Sequence, residues 1–281
     1  MLLTIAATVP NEERLQLIKD SGFDGVDYGF DDDQGLALND DFIEYAKNTK
    51  KTLDKIGLVC HQTHATYLVK YGEEYNESNP NYLKTVRSIL ATPYLGASAV
   101  IVHPLNVPIG VDLMAENIKF YKTLEPYAKK AGVKIAVENL YQWVVGTRIH
   151  EGYMHTPEEM NELLDNLSDD FVCNFDTGHA AVVGIDPEDY IHAMSKERLK
   201  YLHVHDTDYT FDRHVIPFML DHHWDKICEA LVDIGYEGTM NLEVGSFMRR
   251  CGEGTEKLSY KIAEQSGRRL IKMIEEKRGK K

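Results

Sequence analysis

A chain of 281 residues with 43% hydrophobic and 27% charged side chains can bury one large core, and its length is near the roughly 250 residues of an eight-stranded α/β barrel. The formal net charge of −14 lowers the expectation of a nucleic-acid partner without removing it, because a metal-filled groove still binds a polyanion. Cys60, Cys173, Cys228 and Cys251 show no C-x-x-C spacing, no run approaches the roughly 18 apolar residues of a membrane span, and the amino terminus lacks a basic signal region, so a soluble cytoplasmic protein without a disulfide framework is expected.

From the amino terminus onward, apolar strand-like runs alternate with amphipathic helical segments. Strand candidates are residues 3–7, 25–28, 58–61, 100–103, 134–138, 172–176, 201–205 and 240–244. Helices are expected to begin near Asn11, Asp40, Asn81, Asp112, Thr156, Pro187, His222 and Thr255, several with a side chain able to cap the first turn. Glycines such as Gly22, Gly57, Gly96, Gly132 and Gly235 stand where each helix should end. Strict alternation implies parallel strands joined by right-handed crossovers, and no composition break divides the chain. The expected fold is a single (β/α)₈ TIM barrel over residues 1–281.

Chemistry-bearing side chains gather where these strands run out into loops: His64 and His103, Glu138, Asp176 with His179, His203 and His205, Asp212 with His214, and Glu243, with His61 close by. The carboxyl ends of barrel strands form the catalytic rim. Glu138 and Glu243 each close an apolar strand, where a carboxylate is costly to bury without a cation, a base or a proton. One such Glu is as readily a structural ion pair; two, with Asp176 on a third strand, point to a shared site.

Alternation puts His203 and His205 on one face with His205 nearer the rim, which makes His205 the better ligand and leaves His203 an even choice between ligand and satisfied core histidine. Glu138, Asp176, His205 and Glu243 then form a set of oxygen and nitrogen donors suited to Mn²⁺, Mg²⁺, Fe²⁺, Co²⁺ or Zn²⁺. His64, His103, His179, Asp212 and His214 stand around it as substrate contacts or ligands of additional metal. Tyr67, Tyr141, Trp143, Tyr209 and Phe211 fall in rim loops, as a sugar platform or as loop packing. No G-x-G-x-x-G, P-loop or G-x-S-x-G pattern supports nucleotide-cofactor or serine chemistry.

Ile101-Val102-His103-Pro104, Ala136-Val137-Glu138-Asn139, Phe175-Asp176-Thr177-Gly178-His179-Ala180, His203-Val204-His205-Asp206-Thr207-Asp208 and Asp212-Arg213-His214 give the chain its most specific likeness. It resembles the xylose isomerase-like TIM-barrel superfamily, which includes sugar-phosphate isomerases and epimerases and the endonuclease IV-type AP endonucleases. The resemblance implies that Glu138, Asp176, His205 and Glu243 bind the shared metal, with Glu138 and Glu243 as the acid/base pair of ketose epimerases. It also implies a trinuclear zinc site in the nuclease branch, whose ligand types recur here as His64, His103, Glu138, Asp176, His179, His205, Asp212, His214 and Glu243. Asn139-Leu140-Tyr141-Gln142-Trp143 after Glu138, and Pro217-Phe218 after His214, are closer to the sugar branch.

The expected activity is therefore isomerisation or epimerisation of a small-molecule sugar or sugar phosphate, by proton transfer through an enediolate with Mn²⁺, Co²⁺, Mg²⁺ or Zn²⁺. Trp143 and Arg213 are expected substrate contacts, Trp143 by shielding the sugar, and Lys70, Arg148 and Arg213 are candidates for holding a phosphate. The alternative is a zinc-dependent phosphodiesterase acting on abasic DNA.

Overall fold

The computed structural model describes residues 1–30, 40–143 and 150–280, with the backbone alone at Trp143, His150 and Glu151. Strands β1 (Leu3–Thr8), β2 (Gly25–Gly29), β3 (Val59–His64), β4 (Ala99–Val102), β5 (Lys134–Glu138), β6 (Leu140–Trp143), β7 (His150–Tyr153), β8 (Phe171–Asp176), β9 (Leu199–His203) and β10 (Met240–Leu242) follow in chain order. Eight of them make one parallel sheet in the order β10-β1-β2-β3-β4-β5-β8-β9. β1 pairs with β10 in the register Leu3↔Met240 to Ile5↔Leu242. The remaining seam closes just past the end of β9, where Val204 N–H donates to Asn241 O at 2.9 Å and Glu243 N–H donates to Val204 O at 3.0 Å. The expected eight-stranded barrel is thus closed. The antiparallel pair β6–β7 lies outside it and was not expected from the sequence.

The principal helices form where cap and apolar period coincide. Asn11 Oδ1 accepts from Arg14 N–H to start α1 (Glu12–Ser21), and Gly22, at φ 106°, lets the chain turn back toward β2. Next come α2 (Phe42–Ile56), α3 (Pro80–Ala91), whose N-cap is Asn79, and α4 (Leu113–Ala131), where Asp112 caps Ala115. α5 (Pro157–Asp165) is capped by Thr156. The short helix α6 (Thr177–Val182) was not expected; then come α7 (Pro187–Ala193) and α8 (Trp224–Asp233). A second short helix, α9 (Gly245–Arg250), follows β10, and the 23-residue α10 (Glu256–Arg278) packs against β1 and β10. No helix among the described residues is long and apolar enough to cross a membrane.

Strand alternation sorts the barrel interior into tiers. Ala99, Ile101, Ala136, Val172 and Tyr201 form a separate apolar cluster. Two and four residues further along the same strands, the same face carries Glu138, Asn174 with Asp176, and His203 with His205, all buried. The polar rim therefore rests on an apolar floor.

Candidate metal centre

Each rim residue is aimed by the element that carries it. Asp176 ends β8 and caps α6, its Oδ1 accepting from His179 N–H at 2.7 Å, so the Asp176-Thr177-Gly178-His179 turn sets a carboxylate and an imidazole together. Gly178 has to lack a side chain: a Cβ there would lie 1.9 Å from His205 Cε1. Asp206 holds the following loop, accepting from Leu220 N–H, His222 N–H and Trp224 Nε1–H at 3.0 to 3.1 Å. That loop delivers Asp212 and His214, the latter at a strained φ of 44°.

Three groups of ligand-type side chains result. In the central one, Glu138, Asp176, His203 and Glu243 each present an atom within 4.8 Å of all the others. His203 Nδ1 lies 2.8 Å from Glu138 Oε1 and 3.0 Å from Glu243 Oε2. A second group joins His64 to Glu138 and His203. His103 Nε2 lies beside it, 3.0 Å from His64 Nε2 and 3.1 Å from Glu138 Oε2. The third is His179, Asp212 and His214, with Asp212 Oδ2 at 2.6 Å from His214 Nε2 and 3.6 Å from His179 Nε2.

Three of the four expected ligands, Glu138, Asp176 and Glu243, share the central group, and the fourth, His205, lies beside it against Asp176. His203, not His205, meets Glu138 and Glu243, because β9 ends at His203 and His205 lies one pleat further along. His205 Nε2 instead sits 3.0 Å from Asp176 Oδ1 and 3.4 Å from Asp212 Oδ1, with its ring stacked on His214 at 4.2 Å. It bridges the central and third groups.

The donors are prepared for cations. His64, His179 and His214 each turn Nδ1 to a backbone carbonyl, of Ala65, Asn139 and Glu243 respectively, at 2.8 to 3.0 Å. That fixes the tautomer and leaves Nε2 for the cluster. Buried oxygens without a hydrogen bond include Glu138 Oε2, Asp176 Oδ2, Asp212 Oδ1 and Glu243 Oε2. No Lys or Arg lies within 4.0 Å of these carboxylates among the described residues, so histidines alone compensate them within the protein. Such a donor set fits divalent cations.

The electrostatics agree. Burial opposes charge on Glu138, yet His203, His103 and His64 pull its pKa well below the usual range. Burial likewise opposes protonation of His214, but Glu243, Asp212 and Asp176 raise its pKa to about 9. For His179, Asp176 and Asp212 overcome the same penalty and raise the pKa well above that of a free imidazole. A cation bound here would displace these protons.

Beneath the centre lies a residue that the strand-end pattern missed. Asp27, buried on β2, accepts from His203 Nε2, Gln62 Nε2 and Asn241 Nδ2 at 2.9, 3.0 and 3.2 Å. The signal was present in Gly25-Val26-Asp27-Tyr28, an acidic residue inside an apolar strand. Tyr67 stacks on His103 at 5.3 Å, and Tyr141 lies against His179 at 5.3 Å. Tyr209 and Phe211 make other contacts, with His222 and Arg213.

Two of the expected residues, Arg213 and His61, stand away from this centre. Arg213 is paired with Asp208 at 2.7 Å and does not line the cavity above the centre. His61 lines a different cavity with Lys196 and Tyr201. The Trp143 side chain and Arg148 lie outside the described residues. The cavity over the centre has a volume of about 680 Å³, and its wall includes Asp27, His64, His103, Glu138, His203 and Glu243.

The chain has relatives among known proteins. It is 25% identical over 159 residues to an uncharacterized protein of Methanocaldococcus jannaschii, covering 53% of this chain and 51% of that one. It therefore spans about half of that relative's length. It is 26% identical over 262 residues to an uncharacterized protein of Sinorhizobium fredii, covering 82% and 79%. A D-tagatose 3-epimerase-like protein has the same fold, with a TM-score of 0.75, 18% identity and 99% coverage of both chains. So has an IolI protein crystallised with a bound zinc atom, at a TM-score of 0.73, 15% identity and 98% and 99% coverage. The family described as xylose isomerase-like TIM barrel matches residues 15–260, and the chain belongs to that family.

Proposed function

We propose that this protein is a divalent-metal-dependent isomerase or epimerase of a small sugar or sugar derivative. The observation that carries the reading is the pairing of Glu138 and Glu243 across one small cavity. Their strands have β8 and β9 between them on one side and β4, β3, β2 and β1 on the other. Both carboxylates nevertheless come within 3.0 Å of the same nitrogen of His203. A cavity of about 680 Å³ falls in the roughly 300–1,000 Å³ range of small-molecule sites. The epimerase-like structural neighbour and the zinc-containing one add support.

Glu138, Asp176, His203 and Glu243 would hold the central cation, with Mn²⁺, Co²⁺, Mg²⁺ and Zn²⁺ as candidates. Bound there, it would supply Lewis acidity toward neighbouring carbonyl and hydroxyl oxygens of a sugar. Glu138 and Glu243 divide the proton work: one removes the hydrogen from the carbon beside the carbonyl, and the other returns a proton from the far side. His179, with His205 behind it, steadies hydroxyl groups, and Tyr67, which lines the cavity, helps to exclude water. Trp143 is retained as the residue expected to cover the sugar.

The outer ligand groups favour a second reading, a metal-dependent phosphodiesterase acting on abasic DNA, because proton transfer at carbon does not require ligands for three cations. One experiment compares them. The purified protein, loaded in turn with Mn²⁺, Co²⁺, Mg²⁺ or Zn²⁺, is incubated in D₂O with ketoses, ketose phosphates and inososes and followed by proton NMR, beside an abasic-duplex nicking assay. Sugar conversion without nicking is expected; nicking without sugar conversion would overturn the proposal.

A further inference from the structure

The cavity over the metal centre is acidic at its base and cationic at one wall. Besides its carboxylates and histidines it is lined by Arg14, from α1, and Arg249, from α9. Arg14 Nε donates to Tyr260 Oη at 2.8 Å. Arg249 Nη2 donates to Ser246 Oγ at 3.0 Å, and its Nη1 lies so close over Gly245 that a Cβ there would be 3.3 Å away. Each guanidinium is therefore held by a neutral partner.

Acidic residues outnumber Lys and Arg by 45 to 31. Arg87, Arg198, Arg213 and Arg268 each form an ion pair with an aspartate. Arg14 and Arg249 have no carboxylate within 4.0 Å among the described residues, though Glu13 and Glu256 line an adjoining cavity with them. Arg250, Arg269 and Arg278 also lack an ion pair among the described residues, and what sets Arg14 and Arg249 apart is that both line the cavity over the candidate centre. Two guanidiniums that line one cavity without a direct ion-pair partner leave forked donors for an anion.

We propose that Arg14 and Arg249 form the subsite for a phosphate monoester, so that the substrate is a phosphorylated sugar whose reacting carbons lie over the metal centre and whose phosphate lies at this wall. The inference rests on the sugar-isomerase reading of the same cavity. A phosphate monoester is chosen over a carboxylate because it carries close to two negative charges at neutral pH, matching two cations. Arg14 and Arg249 flank the seam where the first and last βα units meet, and Gly245, Ser246 and Arg249 lie in the short segment after Glu243. Substrate charge and the proposed base are thus carried by one short segment.

The test uses metal-loaded wild type and the Arg14→Gln/Arg249→Gln double variant. Each is assayed with ketose phosphates and their unphosphorylated counterparts, both for turnover and for binding by calorimetry. Wild type should prefer the phosphorylated member, and the double variant should lose at least about 10-fold in kcat/KM and in affinity for it while the unphosphorylated sugar stays within about 2-fold. Equal losses for both sugars, no loss for the phosphate, or no wild-type preference would overturn the subsite. Absence of any sugar turnover would count against the isomerase reading alone. In that case the calorimetric comparison still decides the subsite: a Kd for the sugar phosphate unchanged between the two proteins refutes it, and a selective 10-fold weakening supports it. Single Arg249→Lys and Arg249→Gln variants separate charge from fold, since Lys should restore part of the phosphate preference.

Discussion

Nε2 of His203 and Oδ2 of Asp27 are 2.9 Å apart beneath the candidate metal centre, and this contact decides which nitrogen His203 turns upward. With Nε2–H engaged by Asp27, Nδ1 is the atom left to face Glu138 and Glu243. Burial alone would depress the His203 pKa, but Glu138, Glu243 and Asp27 together hold it well above the ordinary value. A cation bound at Nδ1 would have to displace that proton.

Asp27→Asn should therefore weaken metal binding rather than unfold the barrel. The amide keeps an oxygen for Gln62 and Asn241 but no longer orients His203 by charge. Chelator competition should show an affinity loss of about 10- to 100-fold, the usual cost of removing a carboxylate behind a ligating histidine. Unchanged affinity would mean that His203 is oriented by its other neighbours.

His203 and His205 make separable predictions. His203→Ala should remove the central cation and at least 10²-fold of the turnover, roughly the scale of lost metal assistance. His205→Ala should leave the central cation bound, because its contacts run to Asp176 and Asp212. Metal per chain, measured by mass spectrometry after desalting, distinguishes them. Loss of the central metal in His205→Ala with retention in His203→Ala would make His205 the ligand, as expected from the sequence.

That pair of histidines shows where the sequence stops being legible. The eight strands were readable because apolar runs alternate with capped helices, and Asn11, Asp112 and Thr156 do cap their helices. Convergence of Glu138, Asp176 and Glu243 followed from their places at strand ends. Which of His203 and His205 stands nearer Glu138 and Glu243 did not, since both face inward and only the height at which β9 stops separates them. Asp27 was hidden for a related reason: the strand-end rule looks at the rim, whereas this carboxylate acts from one tier below. Arg14 lies in an ordinary amphipathic helix, and only closure of the barrel brings it beside Arg249.

The carboxylate pair allows a mechanistic test. Glu138→Gln and Glu243→Gln retain an oxygen for the cation but cannot accept a proton from carbon. Turnover in each should fall by roughly 10² to 10⁴, with a smaller fall in metal occupancy. Deuterium from solvent should enter the sugar with wild type and with neither variant. Wild-type turnover without exchange would replace the two-base scheme by hydride transfer between carbons.

Far from the centre, the join between the first and last elements gives the barrel an acid-sensitive tie. Asp24 Oδ2 accepts from Leu3 N–H at 2.8 Å and from Arg268 Nη1 at 2.9 Å, and its Oδ1 accepts from Arg268 Nη2 at 3.0 Å. Burial would raise the Asp24 pKa, but Arg268 and the Leu3 amide outweigh it and lower it. A carboxylate whose folded pKa is depressed contributes stability that is present above its unfolded pKa of about 3.9 and is lost as pH falls through the folded value. Both side chains are about one-third exposed, so solvent screening keeps the pair at about 0.5–1 kcal/mol. In a chain of this size that corresponds to a Tm difference of about 1–4 °C between wild type and Asp24→Asn at pH 7. Thermal melts from pH 7 to pH 2.5 should show the difference holding to about pH 4 and shrinking below it, and a difference unchanged down to pH 2.5 would assign the effect to packing rather than to the ion pair.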